Sequence, residues 1–318
     1  MSEPAITPGE RVAQDKVLGL FPGMAAAAPG MGLPLVSSVA ANATIAAFAS
    51  LTGLDVAHLV CRAGEGELFA ERAWEVAVVA CEAAAAEAYA EQGGVLEGVL
   101  GFSIGAYAAL HAAGAVTIDQ IVTMIDIVLE ASRRLPARYG MAAVTGVATE
   151  EVEAACAPGK AEVAATIVPG QLLVAGERRS VEALVRALAP RALRVQALAV
   201  PWPLHTSLMA PVAASLEAAR YRVGELRPLR RRVYSALHGR AIGSPDEVWA
   251  LVTQHLWRPQ RIDAAILSAR ADGFRRCVEL GPGSTVGRAV RRIAQREISV
   301  TSFPGAARGA GTREPAPC

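Results

Sequence analysis

Aromatic residues make up only 5% of the 318 positions, and nearly all of the 31 basic residues are arginine. A core built on stacked rings is therefore excluded. The 53% hydrophobic content is carried largely by alanine, as in Ala-rich helices packed closely on a sheet. Charge of one sign is also missing: 31 basic against 30 acidic residues leaves a net charge of +1. No global field draws the chain to nucleic acid. The most alanine-rich stretch, Cys81 to Ala90, is interrupted by Glu82 and Glu87, which argues against a membrane span. No basic segment followed by an apolar run opens the sequence, and the expected location is cytoplasmic. The five cysteines, at 61, 81, 156, 277 and 318, show no CxxC pair. They are expected to be reduced thiols, with no metal site.

What is present has the rhythm of an α/β protein. Val17 to Phe21 is a short apolar run halted by Pro22-Gly23, the signature of a buried strand. Leu35–Thr52 and Leu68–Gln92 have helical composition, and Gly93-Gly94 closes the second. Val95–Leu100 then predicts a strand and Ala106–Ala113 a helix. From Gly140 to Val200 the order becomes strand, helix, strand, strand, helix, strand, with strands at 141–147, 161–168, 171–176 and 192–200 and Ser180 as cap of the second helix. That is the ferredoxin-like order. The ends, residues 1–14 and 306–318, are expected to be mobile tails.

Between the strand and helix near residue 100 stands Gly101-Phe102-Ser103-Ile104-Gly105, a G-x-S-x-G pattern. Small residues flank a sharp turn from which the serine must protrude, beside a helix N-terminus suited to a developing oxyanion. Serine needs a base, and the histidines are His58, His111, His205, His238 and His255. His205 follows the rigid Pro201-Trp202-Pro203 segment, a setting that can aim a side chain. Spacing alone does not select it.

Four ordered landmarks do. Leu20-Phe21-Pro22-Gly23, the serine turn with Tyr107-Ala108-Ala109-Leu110, Leu204-His205 through Met209-Ala210-Pro211, and Glu279-Leu280-Gly281-Pro282-Gly283 run in series. With Pro169-Gly170-Gln171 to Gly176, they resemble the malonyl-CoA:acyl carrier protein transacylases and the acyltransferase domains of polyketide synthases. The resemblance spans Val17 to Ile298. It implies an α/β-hydrolase-like parallel-sheet core at 15–138 and 201–305, with a ferredoxin-like small subdomain inserted at 139–200. It further implies a monomer with Ser103 as nucleophile and His205 as base. The backbone N–H groups of Met24 and Ile104 would form the oxyanion hole, and the Arg258 carbonyl would orient the histidine. No bound cofactor is implied. Acyl groups would arrive on the phosphopantetheine of an acyl carrier protein or on CoA.

The departures from the family fall where substrate binds. Met24-Ala25-Ala26-Ala27 replaces a glutamine-bearing loop, and Phe102 and Ala106 replace polar residues around the serine. Val128 stands where relatives carry an arginine for the malonyl carboxylate. A carboxylate buried without a cation is heavily penalised, so the expected acyl group is not malonyl. Phe102, Val128, Trp202 and Gln171 are the expected pocket residues. Aminoacyl or dipeptidyl groups, which some discrete relatives move between carrier proteins, are compatible with the loss. An editing thioester hydrolase and a non-enzymatic carrier-protein scaffold are the alternatives. Arg288, Arg291 and Arg292, at i, i+3 and i+4, would share a helix face suited to an acidic carrier protein.

Overall fold

Among the described residues eleven strands carry the fold: β1 (Val17–Phe21), β2 (Gly98–Gly101), β3 (Tyr139–Thr145), β4 (Ala161–Val168), β5 (Gln171–Glu177) and β6 (Arg194–Leu198). They are followed by β7 (Arg232–Ser235), β8 (Arg240–Ile242), β9 (Gln260–Arg261), β10 (Arg276–Leu280) and β11 (Ser299–Phe303). This computed structural model describes residues 16–304 apart from 137, 157–160, 199 and 282. The expected tails at 1–14 and 306–318 lie outside the described residues.

Six strands form one sheet in the order β11-β10-β1-β2-β7-β8, parallel except for the antiparallel edge strand β8. Central β1 is buried along its whole length. Val17 and Phe21 join one core, with Phe48, Leu110 and Met124; Leu18 and Leu20 join the opposite one, with Tyr234, Ile266 and Val286. Both faces are thus covered, which is why the strand reads as a continuous apolar run. The helix Ala73–Glu91 supplies alanines that let it lie close to its neighbours, and it buries fourteen of its nineteen residues.

A second sheet has the order β6-β3-β5-β4-β9. Strands β3 to β6, with the helices Thr149–Cys156 and Arg178–Leu188, have the ferredoxin-like connectivity expected from sequence. Its own core is small and aliphatic, around Val144, Val152, Leu172, Val174 and Leu184. The fifth strand was not foreseen. Two-residue β9 comes from the far side of the chain and pairs parallel with β4, Ala165 opposite Gln260 and Thr166 opposite Arg261.

Element boundaries needed correction. The stretch expected as one helix from Leu68 divides into Glu65–Leu68 and Ala73–Glu91, with Arg72 at φ 70° between them. The first long helix begins at Val39, capped by Ser38, whose hydroxyl accepts from the Ala41 N–H. Ser180 does not cap its helix, which starts two residues earlier after Glu177.

Candidate active site

The turn after β2 leaves no room for a side chain two residues before or two residues after Ser103. A Cβ on Gly101 would lie 2.5 Å from the Ala106 Cα, and one on Gly105 would lie 2.4 Å from the Phe21 carbonyl oxygen. Glycine is required at both positions by close backbone approach. Ser103 itself takes φ 53°, a conformation that costs a non-glycine residue about 1–3 kcal/mol unless its surroundings enforce it. The turn pushes the hydroxyl out of the sheet edge, as the sequence pattern requires.

His205 is brought to it across 102 residues, with Ser103 Oγ 3.0 Å from His205 Nε2. His205 also has positive φ, 65°, and its backbone N–H donates to the Leu256 carbonyl at 2.8 Å. The ring is buried, with 3% of its surface exposed. Nδ1 donates to the carbonyl oxygen of His255 at 2.5 Å, so Nε2 is left as acceptor for the serine proton. This corrects the expectation for Arg258. The helix Pro245–Gln254 ends at His255, and the residue that would continue it by donating to the His255 carbonyl is Pro259, which has no N–H. That carbonyl is therefore free for His205, whereas Arg258 turns its side chain to Gln254.

Burial holds the His205 imidazole at about 3, far below its ordinary 6.5; the neighbouring His255 ring adds to this and the His255 carbonyl opposes it. The ring is neutral at physiological pH and can accept a proton. Phe102 packs against it with ring centroids 6.3 Å apart and planes 28° from parallel.

Gln260 was not anticipated. Its Oε1 accepts from the Ser103 backbone N–H at 3.3 Å, while Nε2 lies 2.9 Å from His205 Nδ1 and 3.5 Å from Nε2. Lying near both ring nitrogens, the amide rests across the imidazole. Glu82, noticed in the sequence only as a charge inside an apolar stretch, accepts from the Gly23 N–H at 2.6 Å. Fully buried, it anchors the loop that carries Met24, and burial holds its carboxyl well above the usual range.

Ser103 and His205 open onto a cleft of about 1060 Å³, also lined by Met24, Ile104, Val128 and Trp202. Phe102 and Gln171 are not among its walls. Phe102 is directed into the core beneath the sheet, and Gln171 accepts from Arg292 at 3.0 Å on the exterior. Among the described residues no lysine or arginine lines the cleft, while Glu65, Glu71 and Glu75 do. Arg288, Arg291 and Arg292 are exposed together on the helix Thr285–Ile293. Arg291 also donates to the Val300 carbonyl at 2.9 Å. Among the described residues no acidic, histidine and cysteine cluster could hold a metal, and no helix is long and apolar enough to cross a membrane.

Residues 20–311 match the acyl transferase domain family. The chain is 26% identical over 291 residues to a Bacillus subtilis malonyl CoA-acyl carrier protein transacylase, covering 88% of this chain and 91% of the relative. It is 27% identical to a human mitochondrial malonyl-CoA-acyl carrier protein transacylase, covering 84% and 74%. The fold superimposes on a Streptococcus pneumoniae MCAT structure with TM-score 0.82 and 26% identity, covering 91% of this chain and 96% of that one. It also superimposes on a malonyl-transacylase in complex with a type II polyketide acyl carrier protein, at TM-score 0.86 and 24% identity, covering 92% and 97%. On these grounds the chain belongs to the acyl transferase domain family and is an acyltransferase.

Proposed function

We propose that this chain moves an acyl group other than malonyl between thioesters of acyl carrier protein phosphopantetheine or CoA, through an acyl-Ser103 intermediate. One observation carries the reading: a buried His205 lies 3.0 Å from Ser103 Oγ in a cleft lined, among the described residues, by no cationic side chain. Ser103 Oγ attacks the thioester carbonyl as His205 Nε2 takes its proton. The tetrahedral oxyanion is held by the backbone N–H groups of Met24 and Ile104. The C–S bond then breaks, and the departing thiolate receives the proton from His205. A second thiol enters, gives its proton to the same nitrogen, and attacks the acyl-serine. The Ser103 oxygen leaves and is reprotonated by His205.

The relatives are named for malonyl transfer, and a malonyl group brings a free carboxylate. In this cleft that carboxylate would meet Val128 and three glutamates, with no guanidinium among the described lining residues to receive it. Arg133 does not serve, since it is turned to Glu71 at 3.0 Å.

Intact-mass measurement after incubation with acyl-CoA donors tests this directly. A neutral acyl group is expected to add its mass to the wild-type protein and not to Ser103→Ala. Malonyl is expected to load at least about a hundredfold more slowly, as for a charge buried without a partner. Equal or faster loading of malonyl would sink the specificity claim, and loading of Ser103→Ala would sink the mechanism.

A further inference from the structure

Two residues that line the acyl cleft each carry a buried polar atom with no hydrogen-bond partner. One is Oε2 of Glu75 and the other the hydroxyl of Tyr107; their residues are 6% and 3% exposed. Leaving such groups unpaired costs about 1–3 kcal/mol each, so their retention requires a reason. Both line the cleft into which Ser103 and His205 open. They come from different elements: Glu75 from the first turn of Ala73–Glu91, Tyr107 from the helix that follows the serine turn. Oε2 of the buried Glu82 is also unpartnered, but that residue does not line the cleft and its other oxygen is held by the Gly23 N–H.

The electrostatic setting narrows what they receive. Glu65, Glu71 and Glu75 line the cleft, and among the described residues only Glu71 has an ion-pair partner, the exposed Arg133. Burial raises the Glu75 carboxyl to about 7; N–H groups of its own backbone and of Arg72 oppose the rise, Glu71 adds to it and Arg133 subtracts. A positive group delivered into the cleft would restore the charged form.

We propose that Glu75 and Tyr107 form an ammonium-binding subsite, and that the transferred group is an aminoacyl chain. An ammonium has three donors. It can give one to Glu75 Oε2 and one to the Tyr107 oxygen, while the surrounding carboxylates contribute their field. The assignment rests on the acyl-transfer reading above, with the thioester carbonyl at Ser103 and the amine farther down the cleft.

The test uses three CoA thioesters of similar size on the full-length protein: 3-aminobutyryl, 3-methylbutyryl and 3-hydroxybutyryl. Acylation of Ser103 is followed by intact mass, and the kcat/KM values are compared as ratios, which do not depend on the fraction of folded enzyme. Wild type is expected to favour 3-aminobutyryl over 3-methylbutyryl by at least about tenfold, the scale of one charge-assisted hydrogen bond. In Glu75→Gln that ratio should fall towards one, and in Tyr107→Phe it should fall part of the way. Preference for 3-methylbutyryl in wild type, or a ratio unchanged in Glu75→Gln, overturns the subsite. Equal use of 3-hydroxybutyryl and 3-aminobutyryl overturns the ammonium specifically, because the site would then read a neutral donor. If 3-methylbutyryl loads well with no advantage for the amine, only the subsite fails. If no thioester acylates Ser103, the acyl-transfer reading itself fails.

Discussion

At the scale of single residues, the protonation state of His205 decides what the pair can do. Its ordinary value of 6.5 is lowered to about 3, chiefly by burial. A depressed histidine is neutral above its own value, so activity should persist into mild acid. With an uncharged acyl-CoA donor, kcat/KM is expected to stay level from pH 8 down to about pH 5. A fall to half near pH 6.5 would show an imidazole that titrates as in water and would overturn the lowered value. Ser103 and His205 were legible in sequence because each sits in a run whose order and spacing recur as landmarks. His255 was not. Its role is played by a main-chain carbonyl, and any residue supplies one; the readable sign was Pro259 four residues on, whose missing N–H frees it. Gln260 and Glu75 were hidden for a different reason. Both act by side chain, but only the tertiary fold brings them to the serine and its cleft.

At the scale of elements, the serine turn is the most constrained segment. Gly105→Ala would place a methyl group 2.4 Å from the Phe21 carbonyl oxygen, where neither partner is a flexible side chain. The expected loss is about 1–3 kcal/mol, seen as a lower urea midpoint at unchanged slope. A midpoint equal to wild type would show that β1 and the helix Gly105–Ala112 can separate without cost. Strands β1 to β6 were readable from short apolar runs, whereas β7, β8, β10 and β11 were not read as strands. The helices were readable in existence but less so at their starts, because Leu68 to Arg72 has helical composition while Arg72 takes a positive φ that breaks the element. The pairing of β9 was invisible, since two residues carry no periodicity.

At the scale of the whole molecule, a net charge of +1 conceals an uneven surface. Arg288, Arg291 and Arg292 stand exposed together on one helix. Acyl carrier proteins are acidic, so this face is where steering would act. The double variant Arg288→Glu with Arg291→Glu is expected to raise the KM for carrier protein about three- to tenfold at low salt. The difference should shrink as ionic strength rises past the screening range. An unchanged KM at low salt would move docking to another face. The distribution of arginines and the shared face of these three were plain from sequence, but the donation from Arg291 to the Val300 carbonyl was not. Nor was the engagement of Arg292 with Gln171, which ties this helix to the small sheet.

The borrowed strand β9 also sets an order of events. The small sheet's β6 ends at Leu198, yet its last strand begins at Gln260, about sixty residues later in the chain. The carbonyl that orients His205 lies in the same late stretch. On the ribosome, the nucleophile and its turn emerge early, and the small sheet can pair four of its strands before the base has anything to hold it. A nascent chain ending before residue 255 would therefore carry Ser103 without an aimed histidine. The segment from His255 to Arg261 thus supplies both the carbonyl that aims the base and the strand that completes the second sheet.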